Sequence, residues 1–166
     1  QANMQIKDNQ SMVFDGIMAT TPTWKDIEFI RKNTKLPLIL KGITHPSYAK
    51  KAIEFGVDGI VVSNHGGRVL DTLVTTMDIL PKIVEVVDNK IPILLDGGIT
   101  RGTDILKALA LGASAVMIGK PIMYALATAG ALGVAHSLKI LKDELEISMA
   151  LTGCKTLKDI NKDILF

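Results

Sequence analysis

Several residue types are scarce in this chain, and each scarcity excludes a class of protein. Cys154 is the single cysteine among 166 residues, so no disulfide can form within the chain, and a reducing compartment, the cytoplasm, is predicted. The net charge is only +2, with lysine and arginine scattered among acidic residues, so no nucleic-acid partner is predicted. The most apolar stretch, 121–135, is shorter than the roughly twenty residues that span a bilayer, which leaves a peripheral place on the inner face of a membrane as the alternative. No metal-ligand spacing occurs, and no metal site is predicted.

Hydrophobic residues, in contrast, make up 48% of the chain against 22% charged residues, which is typical of a soluble globular domain. Four continuously apolar runs indicate buried parallel strands; they lie at 36–42, 58–67, 91–98 and 114–120. Segments with helical spacing precede or separate them; these lie at 23–34, 45–56, 75–89 and 101–112. A longer amphipathic helix is predicted over 136–153, with an apolar stripe of Leu138, Leu141, Leu145 and Met149, and a capping box starts a short helix at 156–159. The sequence therefore predicts an α/β fold of βα units, arranged either as a barrel or as a doubly wound sheet.

Polar side chains stand where each of the four apolar runs ends. Lys41, His65, Asp96 and Lys120 all lie at the carboxyl ends of their runs. Parallel α/β folds build their active sites at this end of the strands. These four residues are therefore the first candidates for a functional site.

The motifs around these residues resemble one known family. The chain contains "LPLILKGI", "GIVVSNHGGRVLD", "IPILLDGG", "RGTDILKALALGA", "MIGKP" and "MALTGCKTLKDI" in this order, from about Trp24 to Ile160. Together they resemble the flavin mononucleotide (FMN)-dependent 2-hydroxy acid dehydrogenases and oxidases, the family of glycolate oxidase and L-lactate dehydrogenase. The resemblance implies a (β/α)8 TIM barrel, with residues 23–166 as its C-terminal half, strands five to eight with their helices. Residues 1–22 would then be the remnant of the long loop after strand four.

The resemblance implies roles for two residues of the "SNHGGR" motif. His65 would be the catalytic base that binds the substrate and removes a proton from it, a task that suits imidazole because its ordinary pKa lies near neutrality. Arg68 would bind the substrate carboxylate with its planar, two-pronged guanidinium. The glycines between them allow a tight backbone path, so both side chains can face the flavin ring.

FMN is the cofactor that the resemblance implies. Lys41 would stabilise negative charge on the reduced ring, and Ser63 would donate to the ring or to the ribityl chain. The remaining cofactor residues lie around the phosphate site; they are Asp96, Gly97, Gly98, Thr100, Gly119 and Lys120. Thr100 and Lys120 depart from the family pattern, which has arginine at both positions, so we expect weaker retention of the cofactor rather than loss of the site. Arg101 matches a second family arginine, for which packing or a salt bridge is as good an expectation as phosphate contact.

The expected function is oxidation of an (S)-2-hydroxy acid, such as lactate or glycolate, to the 2-oxo acid. The expected partners are this small acid, an N-terminal half-barrel or a second copy of the chain, and an electron acceptor that is oxygen, a quinone or a cytochrome. One alternative is a non-catalytic half-barrel that binds at most a phosphate-bearing ligand or serves as an assembly partner. A weaker alternative resembles inosine monophosphate dehydrogenase, although "SNHGGR" does not supply the catalytic cysteine loop of that family. Three other residues are given no catalytic role. We expect His45 to be a loop or cap residue, His136 to be a surface or packing residue, and Cys154 to be a buried thiol.

Overall fold

The computed structural model of the protein describes residues 7–165, which fall into two compact units, one up to Leu36 and one from Pro37 onward. This division differs from the boundary after residue 22 that the sequence predicts, and that boundary stays a prediction. Residues 1–6 of the predicted loop remnant lie outside the described residues.

The first unit consists of short helical segments. A short π-helix spans Met12–Ile17, a 3-10 turn spans Met18–Thr20, and helix α1 spans Trp24–Asn33. A capping box starts α1, because the Thr23 backbone N–H and hydroxyl both donate to Asp26 Oδ2, at 2.6 and 2.7 Å. These two hydrogen bonds lower the pKa of the Asp26 carboxyl below its ordinary value. The helix predicted over 23–34 is confirmed.

Four parallel strands and four helices alternate in the second unit. The strands are β1 (Ile39–Ile43), β2 (Gly59–Val62), β3 (Ile93–Leu95) and β4 (Ala115–Val116). The helices are α2 (Pro46–Glu54), α3 (Thr76–Val87), α4 (Gly102–Ala110) and α5 (Lys120–Leu151). The strand order is β1-β2-β3-β4 and every pairing is parallel. A doubly wound sheet reverses its order at a switch point, whereas this sheet follows the chain as a barrel does. The predicted parallel α/β fold is confirmed.

The register of the sheet places the carboxyl ends of the strands at one edge. Lys41 pairs with Val61, Val62 pairs with Leu95, and Leu95 pairs with Val116. All four residues of β2 are buried, as expected for a central strand of a parallel sheet. The buried face of α3 contributes Leu80, Ile83 and Val87 to the core. This packed layer fixes the strand ends from which the candidate site residues project.

Helix α5 is longer than the sequence predicts. It has non-helical backbone angles at Ala129 and Gly130, and its second part contains the helix predicted over 136–153. Along the predicted apolar stripe of that part, Leu141 is buried, and Leu145 and Met149 pack against a small core cluster that includes Cys154. Leu138, predicted on the same stripe, is 49% exposed. By length and composition alone α5 could cross a membrane, although the break at Ala129 and Gly130 interrupts it.

Candidate active site

Three of the predicted site residues meet at the carboxyl edge of the sheet. The Lys41 Nζ at the end of β1 donates to Ser63 Oγ, just after β2, at 2.9 Å. The same ammonium forms an ion pair and hydrogen bond with Asp96 Oδ2, just after β3. Ser63 and Asp96, which follow Lys41 in the sequence by 22 and 55 positions, thus form one polar group with it. Ser63 is buried and the Asp96 side chain is 17% exposed, whereas the Lys41 side chain is 44% exposed and leaves the group open to solvent on its outer side.

The loop after β2 turns sharply through a left-handed backbone. His65, Gly66 and Gly67 have φ angles of +56°, +66° and +70°. The His65 N–H donates to Ser63 Oγ at 3.2 Å, and the Gly67 N–H donates to the Asn64 carbonyl at 3.1 Å. Glycine adopts such angles freely, but a left-handed residue with a side chain costs roughly 1–2 kcal/mol. His65 is therefore held in a strained conformation with its side chain exposed, which is common at functional sites.

Lys120, which follows the last strand β4, reaches the same loop. Lys120 opens α5, and its Nζ donates to the Gly66 carbonyl oxygen at 3.0 Å. Arg68 follows the left-handed turn directly and is exposed. The structure thus brings Lys120 to the loop formed by residues 63–68, which is called the histidine loop.

An open cleft of about 360 Å³ lies at the ends of β1 and β2. It is lined by Lys41, Gly42, Thr44, Ser63, Asn64, His65, Val69 and Leu73. The proposed base and the proposed flavin-binding lysine and serine therefore share one cavity. A second open cleft of about 580 Å³, near Gly153 and Cys154, contains none of the predicted site residues.

The loop after β3 is closely packed against the histidine loop. Gly97 and Gly98 have φ angles of +88° and +80°, and the Thr76 hydroxyl donates to the Gly97 carbonyl at 3.2 Å. A Cβ atom at Gly97 would lie only 2.9 Å from Asn64 Oδ1. Glycine at this position therefore allows the two loops to approach each other.

Thr100 and Arg101 both contact acidic side chains. The Thr100 backbone N–H and hydroxyl both donate to Asp104 Oδ2, at 2.9 and 3.2 Å. Arg101 Nη1 forms a salt bridge with Glu144 Oε1 at 3.2 Å, which is the salt bridge that the sequence allowed. Both donors of Thr100 that were expected to face phosphate are thus satisfied within the protein. Its place among the cofactor residues stays a prediction, as do the roles of the other predicted site residues.

Sequence reasoning missed two side chains of this edge, Asn64 and Thr76. Asn64 lines the cleft, and its Oδ1 is buried without a hydrogen-bond partner among the described residues; Asp96 Oδ1 is in the same state. The position of Asn64 inside "SNHGG" could have indicated it, whereas nothing in the sequence distinguishes Thr76 from an ordinary helix start. His45 is confirmed as a helix cap, since its Nδ1 accepts from the Ser47 N–H at 3.2 Å.

The remaining residues that were given no role agree with the sequence analysis. Cys154 is a buried free thiol, and His136 lies exposed on α5. Over residues 7–165 there is no group of three or more histidine, cysteine or acidic side chains that could hold a metal ion.

Comparisons with known proteins give a consistent result. The sequence model of a family described as FMN-dependent dehydrogenase matches residues 1–166. A peroxisomal (S)-2-hydroxyacid oxidase of Arabidopsis thaliana is 55% identical over 141 residues, which cover 85% of this chain and 39% of that protein. An L-lactate oxidase of Roseobacter sp. (strain GAI101) is 46% identical over 160 residues, which cover 96% of this chain and 43% of that protein.

Solved structures agree with the sequence relatives. A crystal structure of mandelate oxidase with (S)-2-phenylpropionate superposes with a TM-score of 0.82 at 46% identity, covering 85% of this chain and 42% of that one. The chain thus spans about two fifths of the length of the relatives that it matches.

Proposed function

The chain belongs to the FMN-dependent dehydrogenase family, and on that premise we propose that it supplies the catalytic strand ends of an enzyme that oxidises an (S)-2-hydroxy acid to the 2-oxo acid. The observation that carries the proposal is the cleft at the carboxyl edge of the sheet, where Lys41, Ser63 and His65 lie together. Relatives are named (S)-2-hydroxyacid oxidase and L-lactate oxidase, so we propose an acid of the lactate or glycolate type and oxygen as the electron acceptor. A quinone or a cytochrome as acceptor stays a prediction.

Residues in and beside the cleft fit FMN. Asn64 Oδ1 and Asp96 Oδ1 are buried acceptors without partners in the described chain, and a ring N–H or the ribityl hydroxyls would satisfy them. Lys41 adds a fixed cation beside them, and Ser63 adds a hydroxyl. The backbone at Gly97, together with the N-terminus of α5 and Lys120, would hold the phosphate. When bound, FMN accepts the two electrons that leave the substrate.

The chain's own residues have two tasks toward the substrate. His65 is exposed at the cleft, and its imidazole would accept a proton from the substrate as the 2-oxo acid forms. Arg68, at the end of the same turn, would bind the carboxylate through two parallel hydrogen bonds. Because the left-handed turn leaves only two residues between them, both side chains would reach one small acid.

Assembly with further strands is part of the proposal. Within the described residues, β1 and β4 are edge strands with one neighbour each, and an N-terminal half-barrel or a second copy of the chain would pair with them. The cytoplasmic location also stays a prediction, since some relatives are named as peroxisomal enzymes, and nothing supports the peripheral membrane placement.

A chimera tests the proposed function. The chain would replace the matching segment of the Arabidopsis oxidase, so that the relative supplies the other strands. We expect a yellow protein whose flavin absorbance bleaches when L-lactate or glycolate is added without oxygen, and which forms hydrogen peroxide in air. The matched control is the same chimera with His65→Gln, which should stay yellow and bleach far more slowly.

Two outcomes would contradict the proposal. A folded chimera that binds FMN but is not reduced by any 2-hydroxy acid tested would show that the site is not an oxidase. A folded chimera that binds no FMN would favour the alternative of a non-catalytic half-barrel, which binds a phosphate-bearing ligand at most.

A further inference from the structure

The conformation of His65 needs an external constraint. It is the first of three consecutive residues with positive φ, and it is the one among them that carries a side chain. Such residues persist only when surrounding contacts hold them. The preceding side of the turn is held by Ser63, whose Oγ accepts from the His65 N–H at 3.2 Å.

Lys120 contacts the turn after His65, at Gly66. Its Nζ donates to the Gly66 carbonyl oxygen at 3.0 Å, from a position 54 residues further along the chain. The lysine stem passes beside Gly66, since a Cβ atom added there would lie 3.5 Å from Lys120 Cε and 3.7 Å from Nζ. A hydrogen bond therefore joins the start of α5 to the histidine loop, with the lysine stem lying beside it.

We propose that Lys120 is a positioning residue for His65, and that its ammonium links the histidine loop to the phosphate group bound at the start of α5. A lysine ammonium has three N–H donors, of which one is used by Gly66, so two remain for phosphate oxygens. Binding of phosphate would fix the lysine stem and thereby the turn, and the coupling is reciprocal. The phosphate half of this inference rests on the proposed function, whereas the contact with Gly66 does not.

Hydrogen–deuterium exchange of the chain without flavin tests the positioning role. The His65 and Gly67 amides are hydrogen-bonded within the turn, so the peptide that covers residues 63–69 reports its opening. Removing a hydrogen bond from a charged donor in Lys120→Met should speed exchange of this peptide roughly tenfold. Lys120→Arg keeps a cationic donor and should restore most of the protection.

A matched control separates positioning from general stability. Lys139→Met removes a charge from the same helix at a lysine that pairs with Asp143, away from the loop, and should leave the peptide's exchange unchanged. Unchanged exchange in Lys120→Met, or equal acceleration in both methionine variants, would overturn the positioning role.

Inorganic phosphate tests the link to the anion. Added to the chain, it should slow exchange of the 63–69 peptide severalfold, and this effect should disappear in Lys120→Met. Slowing that persists in Lys120→Met, or no slowing in the original chain, would overturn the link. Neither arm uses flavin or a hydroxy acid, so failure here and failure of the oxidation test are distinguishable.

Discussion

A methyl group added at Gly97 would test how closely the loops after β2 and β3 are packed. The positive φ of +88° makes any L side chain cost roughly 1–2 kcal/mol. The new Cβ would also lie 2.9 Å from Asn64 Oδ1 and 3.4 Å from Thr76 Oγ1. Forcing extra volume into a packed site costs about 1–3 kcal/mol. We therefore expect Gly97→Ala to lower the free energy of unfolding by about 2–5 kcal/mol.

Gly98 provides the matched control for this prediction. Its φ of +80° is nearly the same, but a Cβ atom there would meet nothing within 4 Å, so Gly98→Ala should cost only about 1–2 kcal/mol. Urea denaturation followed by circular dichroism measures both losses. In an Asn64→Ala background the obstructing oxygen is absent, and the extra loss at Gly97 should shrink. Equal losses at the two glycines, or no recovery in that background, would refute the packing argument.

Further predictions concern catalysis, cofactor binding and assembly. In the chimera, His65→Gln should keep flavin but lower turnover at least roughly a hundredfold, and near-normal turnover would remove His65 from the mechanism. Arg68→Lys should lower kcat/KM roughly tenfold because the two-pronged contact is lost, and unchanged kinetics would place the carboxylate elsewhere. Thr100→Arg should lower the dissociation constant for FMN roughly tenfold, since a charge-assisted hydrogen bond to phosphate is gained, and a titration without gain would show that a side chain at position 100 does not reach the phosphate. The chain alone should self-associate and lack hydroxy acid oxidation; light scattering that shows a stable monomer, or turnover of lactate by it, would contradict this.

The meeting of Lys41, Ser63 and Asp96 could be predicted from sequence because parallel strands align their carboxyl ends by construction. The strand bounds predicted from the sequence were less accurate. The run 58–67 yields a strand only over Gly59–Val62, since its remaining residues turn away from the sheet with left-handed angles at His65 and the glycines. The run 114–120 yields only Ala115–Val116, because α5 already begins at Lys120. The last apolar run is also not buried, since β4 has one exposed and one half-buried residue and Met117 is 40% exposed.

Contacts that depend on side-chain conformation could not be predicted. Whether Lys120 reaches Gly66 depends on loop paths 54 residues apart and on the four torsions of a lysine. The engagement of Thr100 by Asp104 was partly readable, because an acidic residue three positions after a helix start indicates a capping box. The sequence did not indicate that this box would use both donors of Thr100.

The two helices that follow β3 and β4 differ in what their N-termini bind. At α4, Asp104 accepts from the backbone N–H groups of Thr100 and Arg101, and Glu144 accepts from that of Gly102 at 2.8 Å. The last contact requires glycine, because a Cβ at Gly102 would lie 2.1 Å from the backbone nitrogen of the residue after Glu144, where α4 and α5 touch. Two carboxylates thus already occupy the positive end of α4, and a phosphate placed there would be repelled.

At α5 the N-terminus follows Gly119 with no side-chain cap, and Lys120 adds a positive charge. Backbone N–H groups at a helix start together with a cation favour an anion, so we expect the phosphate to lie here rather than at α4. This division explains why threonine is tolerated at position 100, where its hydroxyl serves the cap of α4. It would also concentrate the electrostatic attraction for phosphate on Lys120, the same side chain that contacts the histidine loop. Replacing Lys120 should therefore affect cofactor retention and the ordering of His65 together, whereas Thr100→Ala, which removes only a hydroxyl that caps α4, should affect neither.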